Sequence, residues 1–309
     1  MAGYQRLHQT GELRVRVQQA REMLASCSLC PRRCRVDRLA GESGKCHVTD
    51  RVVVSSYGPH SGEEAPLVGR NGSGTIFFTY CHLRCVFCQN YTISQLGEGS
   101  PVSSEQLAAM MLSLQERGCH NINLVSPSHV VPYFLDALVL AADRGLNLPL
   151  VYNSSGYDAV ETLRLLDGIV DIYMPDMKYA DETTAEQLSG VREYPSVNRA
   201  AVKEMHRQVG DLRLNEYGVA ERGLLVRHLV LPNRLAGTEQ TVRFIAGEVS
   251  TNTYVNIMAQ YHPQYRAHEF PLISRRLHAK EFREAIDLAR QYGLRRLDRD
   301  YAPLALGSL

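Results

Sequence analysis

The sequence predicts an α/β fold built on parallel strands, and three observations predict it. From residue 75 onward six apolar runs alternate with amphipathic helical stretches. The runs are continuous rather than alternating, as strands buried on both faces require. Helix punctuation falls between them. The runs occupy residues 75–80, 121–126, 148–153, 169–174, 224–231 and 254–259. Right-handed crossovers between such units make the strands parallel. Periodicity alone leaves a doubly wound sheet and a barrel both open.

The elements justify themselves in order. Residues 12–25 read as a short helix leading into a cysteine-rich segment, and Val52–Tyr57 reads as a strand. The Gly- and Pro-containing stretch 58–74 reads as a connecting loop. Within it, Asn71-Gly72-Ser73-Gly74 precedes a strand instead of opening a helix, which excludes a phosphate loop. Ser103 and Gln106 form a capping box, and Gly118 closes that helix. Pro132 starts the next helix and Gly145 ends it. The last helix carries Phe282, Ala285, Ile286 and Ala289 on one face, with Gly293 as its stop.

Composition excludes several classes. With 44% apolar and 22% charged residues the chain of 309 is an ordinary globular one. A formal net charge of +1 gives no electrostatic footprint for nucleic acid or an anionic membrane. No apolar run is long enough to span a bilayer. The N-terminus lacks the apolar core of a signal peptide, so the expected location is the cytoplasm, where thiols stay reduced. Seven of the eight cysteines lie within residues 27–88, which concentrates metal or redox chemistry at the front.

Cys81, Cys85 and Cys88 stand in a C-x3-C-x2-C loop directly after the first run of the alternating region. Three thiolates on so short a loop suit a soft-metal centre. A structural zinc site wants a fourth close ligand, and His82 is adjacent to Cys81 and expected to point away. A disulfide would leave one thiol over. The spacing, the aromatic Phe87 before the third cysteine and the strand leading in resemble the radical S-adenosylmethionine (SAM) superfamily. That resemblance implies a 4Fe–4S cluster on the three cysteines, with one iron left to chelate SAM. It implies reductive cleavage to a 5′-deoxyadenosyl radical that takes a hydrogen atom from substrate. It also selects the architecture, a partial TIM-like (βα)6 barrel with its chemistry at the C-terminal strand ends. Two parts are expected: 1–74, a helix with a cysteine-rich metal-binding segment, and 75–309, the barrel with a C-terminal helix.

The motif order is most similar to pyruvate formate-lyase activating enzymes, and among them to the PflX-like branch. Asp176-Met177-Lys178 is similar to the Asp-x-Lys that such enzymes place near the SAM carboxylate and the departing methionine; an exposed charge pair is the other reading. Gln260-Tyr261-His262 resembles their Tyr-His pair, so His262 is read as a SAM or substrate contact, with a hydrogen-bonded loop histidine as the alternative. Asn153 and Gly156 lie in a turn similar to the family's Asn-Gly turn, and Arg227-His228 occupies a strand similar to one implicated in cofactor contacts. Phe87 is expected to turn its backbone toward the adenine. One departure stands out. Where many relatives carry Gly-Gly-Glu for the SAM amino group, this chain has Val125-Ser126-Pro127-Ser128-His129, so Ser126 and Ser128 would have to supply the acceptors.

The front segment, Cys27, Cys30, Cys34 and Cys46, offers four thiolates to zinc or to a second iron–sulfur cluster, and its spacing does not decide between them. The expected activity is hydrogen abstraction, from a glycine in a protein partner or from a peptide or small molecule. Reduced flavodoxin or ferredoxin is the electron donor that the resemblance implies. The non-enzyme alternative is an iron–sulfur electron carrier or sensor.

Overall fold

The computed structural model describes residues 2–298. The end of the expected barrel unit, 299–309, therefore lies outside the described residues. Among the described residues nine strands form: β1 Val52–His60, β2 Ser73–Phe78, β3 Ser100–Val102, β4 Ile122–Val125, β5 Leu150–Ser154, β6 Ile172–Pro175, β7 Arg213–Leu214, β8 Ala220–Leu229 and β9 Tyr254–Met258. The pairings β2–β4, β4–β5, β5–β6, β6–β8 and β8–β9 are all parallel. This is the arc of a partial TIM-like barrel, and every apolar run of the alternating region supplies one of its strands. β1 adds antiparallel to the outer edge of β2, and β3 adds antiparallel to β1.

The continuous apolar runs have a simple cause. Outward residues such as Ile76, Leu124, Tyr152, Tyr173, Val226 and Ile257 share one core with the helices. Those helices include Ser104–Glu116, Val131–Asp143, Tyr194–Val209 and Ala279–Gln291. Inward residues Val151, Ile172, Met174 and Leu225 pack instead around Leu67. Leu67 belongs to a short helix, Ala65–Val68, which plugs the barrel interior. Above that plug the inward positions turn polar: Asn123, Asn153, Asp176, Arg227 and Asn256. The sequence gives the stretch 58–74 the look of a loop, yet β1 runs on to His60 and this plug follows it.

The front of the chain packs on the barrel. Helices Gly3–Gln9 and Glu12–Glu22 contribute Tyr4, Leu7, Leu13 and Ala20 to the core of the barrel helices. Buried Asp171, just ahead of β6, ties them down. It accepts the Gly3 N–H at 2.8 Å and the Leu150 N–H at 3.0 Å. Burial pushes its carboxyl up to about 6, against the pull of those two donors. The native state thus holds this proton more tightly than the unfolded chain. Its contribution to stability is full below about pH 4 and is lost as the pH rises to 6. We expect wild type to lose about 2–3 kcal/mol more than Asp171→Ala across that interval in urea unfolding. Parallel pH profiles for the two proteins would refute this.

Candidate active site

The chain leaves β2 through Thr79 and Tyr80, the latter at φ 69°, and enters the loop 81–88. Thr79 is held by its N–H to the Val53 carbonyl (2.9 Å) and its hydroxyl to the Glu98 carbonyl (2.8 Å). The loop is clamped to the end of helix Glu182–Ser189, where Arg84 N–H donates to the Ser189 carbonyl (3.1 Å) and Val86 N–H to the Leu188 carbonyl (2.9 Å). Leu83, Val86 and Phe87 bury themselves among Tyr179, Leu188, Tyr194 and Tyr261. The Phe87 ring packs edge-on to Tyr261 at 5.8 Å. Apolar residues between the cysteines thus anchor the loop.

Cys81, Cys85 and Cys88 are free thiols. Each sulfur has its own polar neighbour. Leu83 N–H lies 3.4 Å from Cys81 Sγ, Ser189 Oγ 2.9 Å from Cys85 Sγ, and Ser94 Oγ 3.1 Å from Cys88 Sγ. Burial pushes the Cys81 thiol up to about 12, with Cys85 and Cys88 adding to it. Burial also raises Cys85, against the opposing pull of Lys178. Metal binding must therefore displace protons. Three soft sulfur donors on one clamped loop, each with a donor to stabilise its anionic form, fit a 4Fe–4S cluster with one iron uncommitted.

Facing Cys85 is a buried charge cluster. Asp176, next after β6, accepts Lys178 Nζ on one oxygen (2.6 Å) and Arg227 Nε on the other (3.0 Å). Arg227 also donates to Asn153 Oδ1 at 2.7 Å. Burial works against the Asp176 carboxylate, but Arg227 and Lys178 outweigh it and hold its pKa below the ordinary value. Lys178 is likewise penalised by burial and still held above its ordinary value by Asp176 and Cys85. The exposed-pair reading of Asp176 and Lys178 does not hold, because their side chains are only 13% and 17% exposed. Helix Tyr194–Val209 fixes this strand end. Tyr194 Oη shares its one proton between the carbonyls of Ser155 (2.8 Å) and Asp176 (3.0 Å), and Asn198 Nδ2 donates to those of Gly156 and Asp176. Gly156, at φ 71°, has no room for a side chain: a Cβ there would stand 2.0 Å from the Asp176 carbonyl oxygen.

The remaining candidates fall in different places. Ser126 sits at φ 60° with its N–H on the Asn153 carbonyl (2.8 Å), which puts it beside the strand ends. Ser128 is committed to Asp158 (2.6 Å), and His129 Nε2 to the Thr79 carbonyl (3.1 Å). His262 lies in the loop after β9, with Nδ1 on the Gln260 carbonyl of its own loop (3.1 Å). Gln89 Nε2 reaches that same carbonyl at 3.2 Å, which joins the cysteine loop to the His262 loop. His228 is buried between the Met177 carbonyl and Thr238, and burial lowers it to about 4, so it stays neutral.

Sequence reasoning missed Glu63, Glu64 and Asn256. Glu63 approaches Arg227 at 4.0 Å, and burial raises its pKa. Glu64 accepts from Asn256 Nδ2 at 2.8 Å across the interior. Its other oxygen, Asn256 Oδ1 and Asn123 Oδ1 are buried without a partner. One signal was available: Asn123, Asn153 and Asn256 interrupt apolar runs at inward-facing positions.

Cys27, Cys30, Cys34 and Cys46 come together round one small pocket. Among the described residues, no three His, Cys, Asp or Glu side chains converge on a point that a single metal ion could occupy. No helix among the described residues is long and apolar enough to cross a membrane.

Comparison with known proteins places this site in a family. An uncharacterized protein of Methanocaldococcus jannaschii (MJ0674) is 33% identical over 290 residues, 91% of this chain and 79% of that one. Among solved structures, a radical SAM methyltransferase from Sphaerobacter thermophilus is similar over 90% of this chain and 87% of that chain, with a TM-score of 0.49 at 14% identity. Streptococcus suis SuiB bound to S-adenosylmethionine is similar over 71% of this chain, with a TM-score of 0.48 at 15% identity. The chain spans about half the length of SuiB, 47% of it. The radical SAM superfamily profile matches residues 75–245, from β2 through the helix that follows β8, and with the relative at 33% identity it establishes that the chain belongs to the radical SAM superfamily.

Proposed function

We propose that Cys81, Cys85 and Cys88 hold the 4Fe–4S cluster that the family implies, and that the chain uses it to cleave SAM reductively and take a hydrogen atom from a peptide or protein, a backbone glycine in particular. The observation that carries this reading is the buried Asp176–Lys178–Arg227 cluster facing the free thiol of Cys85 at the C-terminal strand ends. When bound, a reduced cluster with SAM supplies a 5′-deoxyadenosyl radical. The residues supply the rest. Lys178 presents a compact cation to the SAM carboxylate, and Asp176 fixes that cation's position. Asn153 and the backbone of Ser126 offer acceptors to the SAM amino group, in the place where many relatives use a glutamate. The backbone at Phe87 lines the adenine side, and His262 sits at the rim, on the substrate side. The buried walls around the loop exclude water from the reacting atoms.

The glycine substrate follows from the similarity to activating enzymes. The test is an anaerobic incubation of reconstituted protein with dithionite, SAM and cell extract, quantifying 5′-deoxyadenosine. We expect product from wild type and at least a hundredfold less from Cys85→Ala. With extract proteins labelled by deuterated glycine, deuterium should appear in the 5′-deoxyadenosine. No product from wild type carrying a reducible cluster would refute SAM cleavage and favour an electron carrier. Transfer from only the low-molecular-mass fraction would replace the protein substrate by a small molecule.

A further inference from the structure

We propose that the pocket enclosed by Cys27, Cys30, Cys34 and Cys46 holds a second iron–sulfur cluster that acts as a one-electron carrier. The segment is folded for ligation rather than for a core. Cys27 N–H donates to the Val36 carbonyl (2.9 Å) and Arg35 N–H returns to the Cys27 carbonyl (3.0 Å), which closes a tight loop around the first three cysteines. Lys45 N–H lies 3.5 Å from Cys34 Sγ. A side chain at Gly44 would strike Cys34 Sγ at 2.8 Å, so the glycine lets the turn bearing Cys46 close over the pocket. All four thiols are free, with no disulfide among them.

Arg38 points to an anion. It is fully buried and lines the same pocket. Its Nε meets the Thr49 carbonyl (3.1 Å) and its Nη1 the His129 carbonyl (2.8 Å), while Nη2 has no partner. The Tyr133 ring lies 5.4 Å from the guanidinium carbon, but no carboxylate pairs with Arg38 among the described residues, and a buried guanidinium without an anionic partner is costly. An anionic centre of thiolates and sulfides beside it removes that cost, and Nη1 already lies 4.0 Å from Cys27 Sγ.

Two histidines complete the wall. His129 Nε2 must donate to the Thr79 carbonyl, so its Nδ1 carries a bare lone pair, and that atom is buried without a partner. His82 Nε2 pairs with Ser155 Oγ at 3.1 Å, and its Nδ1 is also unpartnered. In the tautomer where the serine hydroxyl donates to Nε2, Nδ1 carries the proton and would be free to meet an anionic group in the pocket. The four thiols line the walls of one pocket. A cluster sets its thiolates apart round a wider body and adds sulfides that accept the extra donor.

His82 directly follows Cys81, and Arg32 Nε holds its carbonyl at 2.9 Å, so the two cysteine sets are neighbours. In the carrier role one electron enters from a low-potential donor and leaves to the centre at Cys81, Cys85 and Cys88, with no bond made or broken.

The experiment removes the first site and reads metal at the second. The variant Cys81→Ala/Cys85→Ala/Cys88→Ala is reconstituted anaerobically with iron and sulfide. We expect it to retain iron and acid-labile sulfide in equal amounts, with visible absorption that dithionite bleaches. Adding Cys34→Ser should abolish both. Zinc in place of iron, or no metal on a chain whose circular dichroism matches wild type, would overturn the proposal. If the triple variant does not fold, Cys34→Ser alone is compared with wild type. Loss of roughly half the iron and sulfide supports the second cluster, and unchanged iron overturns it.

Discussion

Replacing Asp176 by alanine is expected to be the most damaging single change in the charge cluster, lowering stability by about 3–5 kcal/mol. The carboxylate is the common partner of Lys178 at 2.6 Å and Arg227 at 3.0 Å. Removing it leaves two cations side by side with their side chains largely buried; Arg227 must stay charged, while burial and Arg227 press Lys178 toward its neutral form. Thermal unfolding should fall by roughly 10 °C, and SAM affinity should fall with it because Lys178 loses its anchor. The double variant Asp176→Ala/Lys178→Met should recover part of the stability without recovering binding. If Asp176→Ala melted like wild type, the cluster would not be structurally coupled and the placement of Lys178 would need another cause.

Gly156→Ala is expected to cost about 3 kcal/mol or more, from overpacking against fixed backbone together with a left-handed conformation that alanine resists. The new methyl would meet the Asp176 carbonyl oxygen at 2.0 Å and Asn198 Nδ2 at 2.3 Å. Those two atoms are hydrogen-bonded to one another at 2.9 Å, so relief of one contact disturbs the bond that pins the β6 strand end. We expect lower SAM affinity in this variant even though residue 156 carries no functional group. Isothermal titration of anaerobically reconstituted protein measures it. A destabilised variant that binds SAM as wild type does would show that the strand end moves without consequence for the site.

These two residues also mark how far the sequence could be read. The parallel strands were legible because residues on both faces of each strand are buried, which leaves a signature of continuous apolar runs. The cysteine loop and the Asp176–Lys178 pair were legible because each is local. Gly156 reads from sequence as a turn former, and nothing local says that a carbonyl twenty residues later occupies the space above it. The plug at Leu67 was hidden for the same reason, since a four-residue helix in a stretch with Gly and Pro carries no periodicity. Glu63 and Glu64 acquire their meaning only from Arg227 and Asn256, which come from the far end of the chain. Ser94 and Ser189 likewise gain theirs only when folding brings them against Cys88 and Cys85.

The edges of the sheet bear on how this protein tolerates crowding. An arc of parallel strands that stops short of closure would offer two rows of open backbone groups, which is the usual template for aggregation. Here β1 covers the edge of β2 along six paired positions. On the other side, Val255 of β9 exchanges hydrogen bonds with Arg296 (2.9 Å) and Asp298 (3.0 Å). The new outer edge, β3, is three residues long and contains Pro101, which cannot donate. Among the described residues β2 is thereby closed to a further strand and β3 is a poor template, while residues 55–60 of β1 keep an open outer edge. A peptide therefore has no ready route in by adding itself as a strand along β2. A peptide substrate of the kind proposed above would have to present itself end-on, over the mouth where the thiols lie.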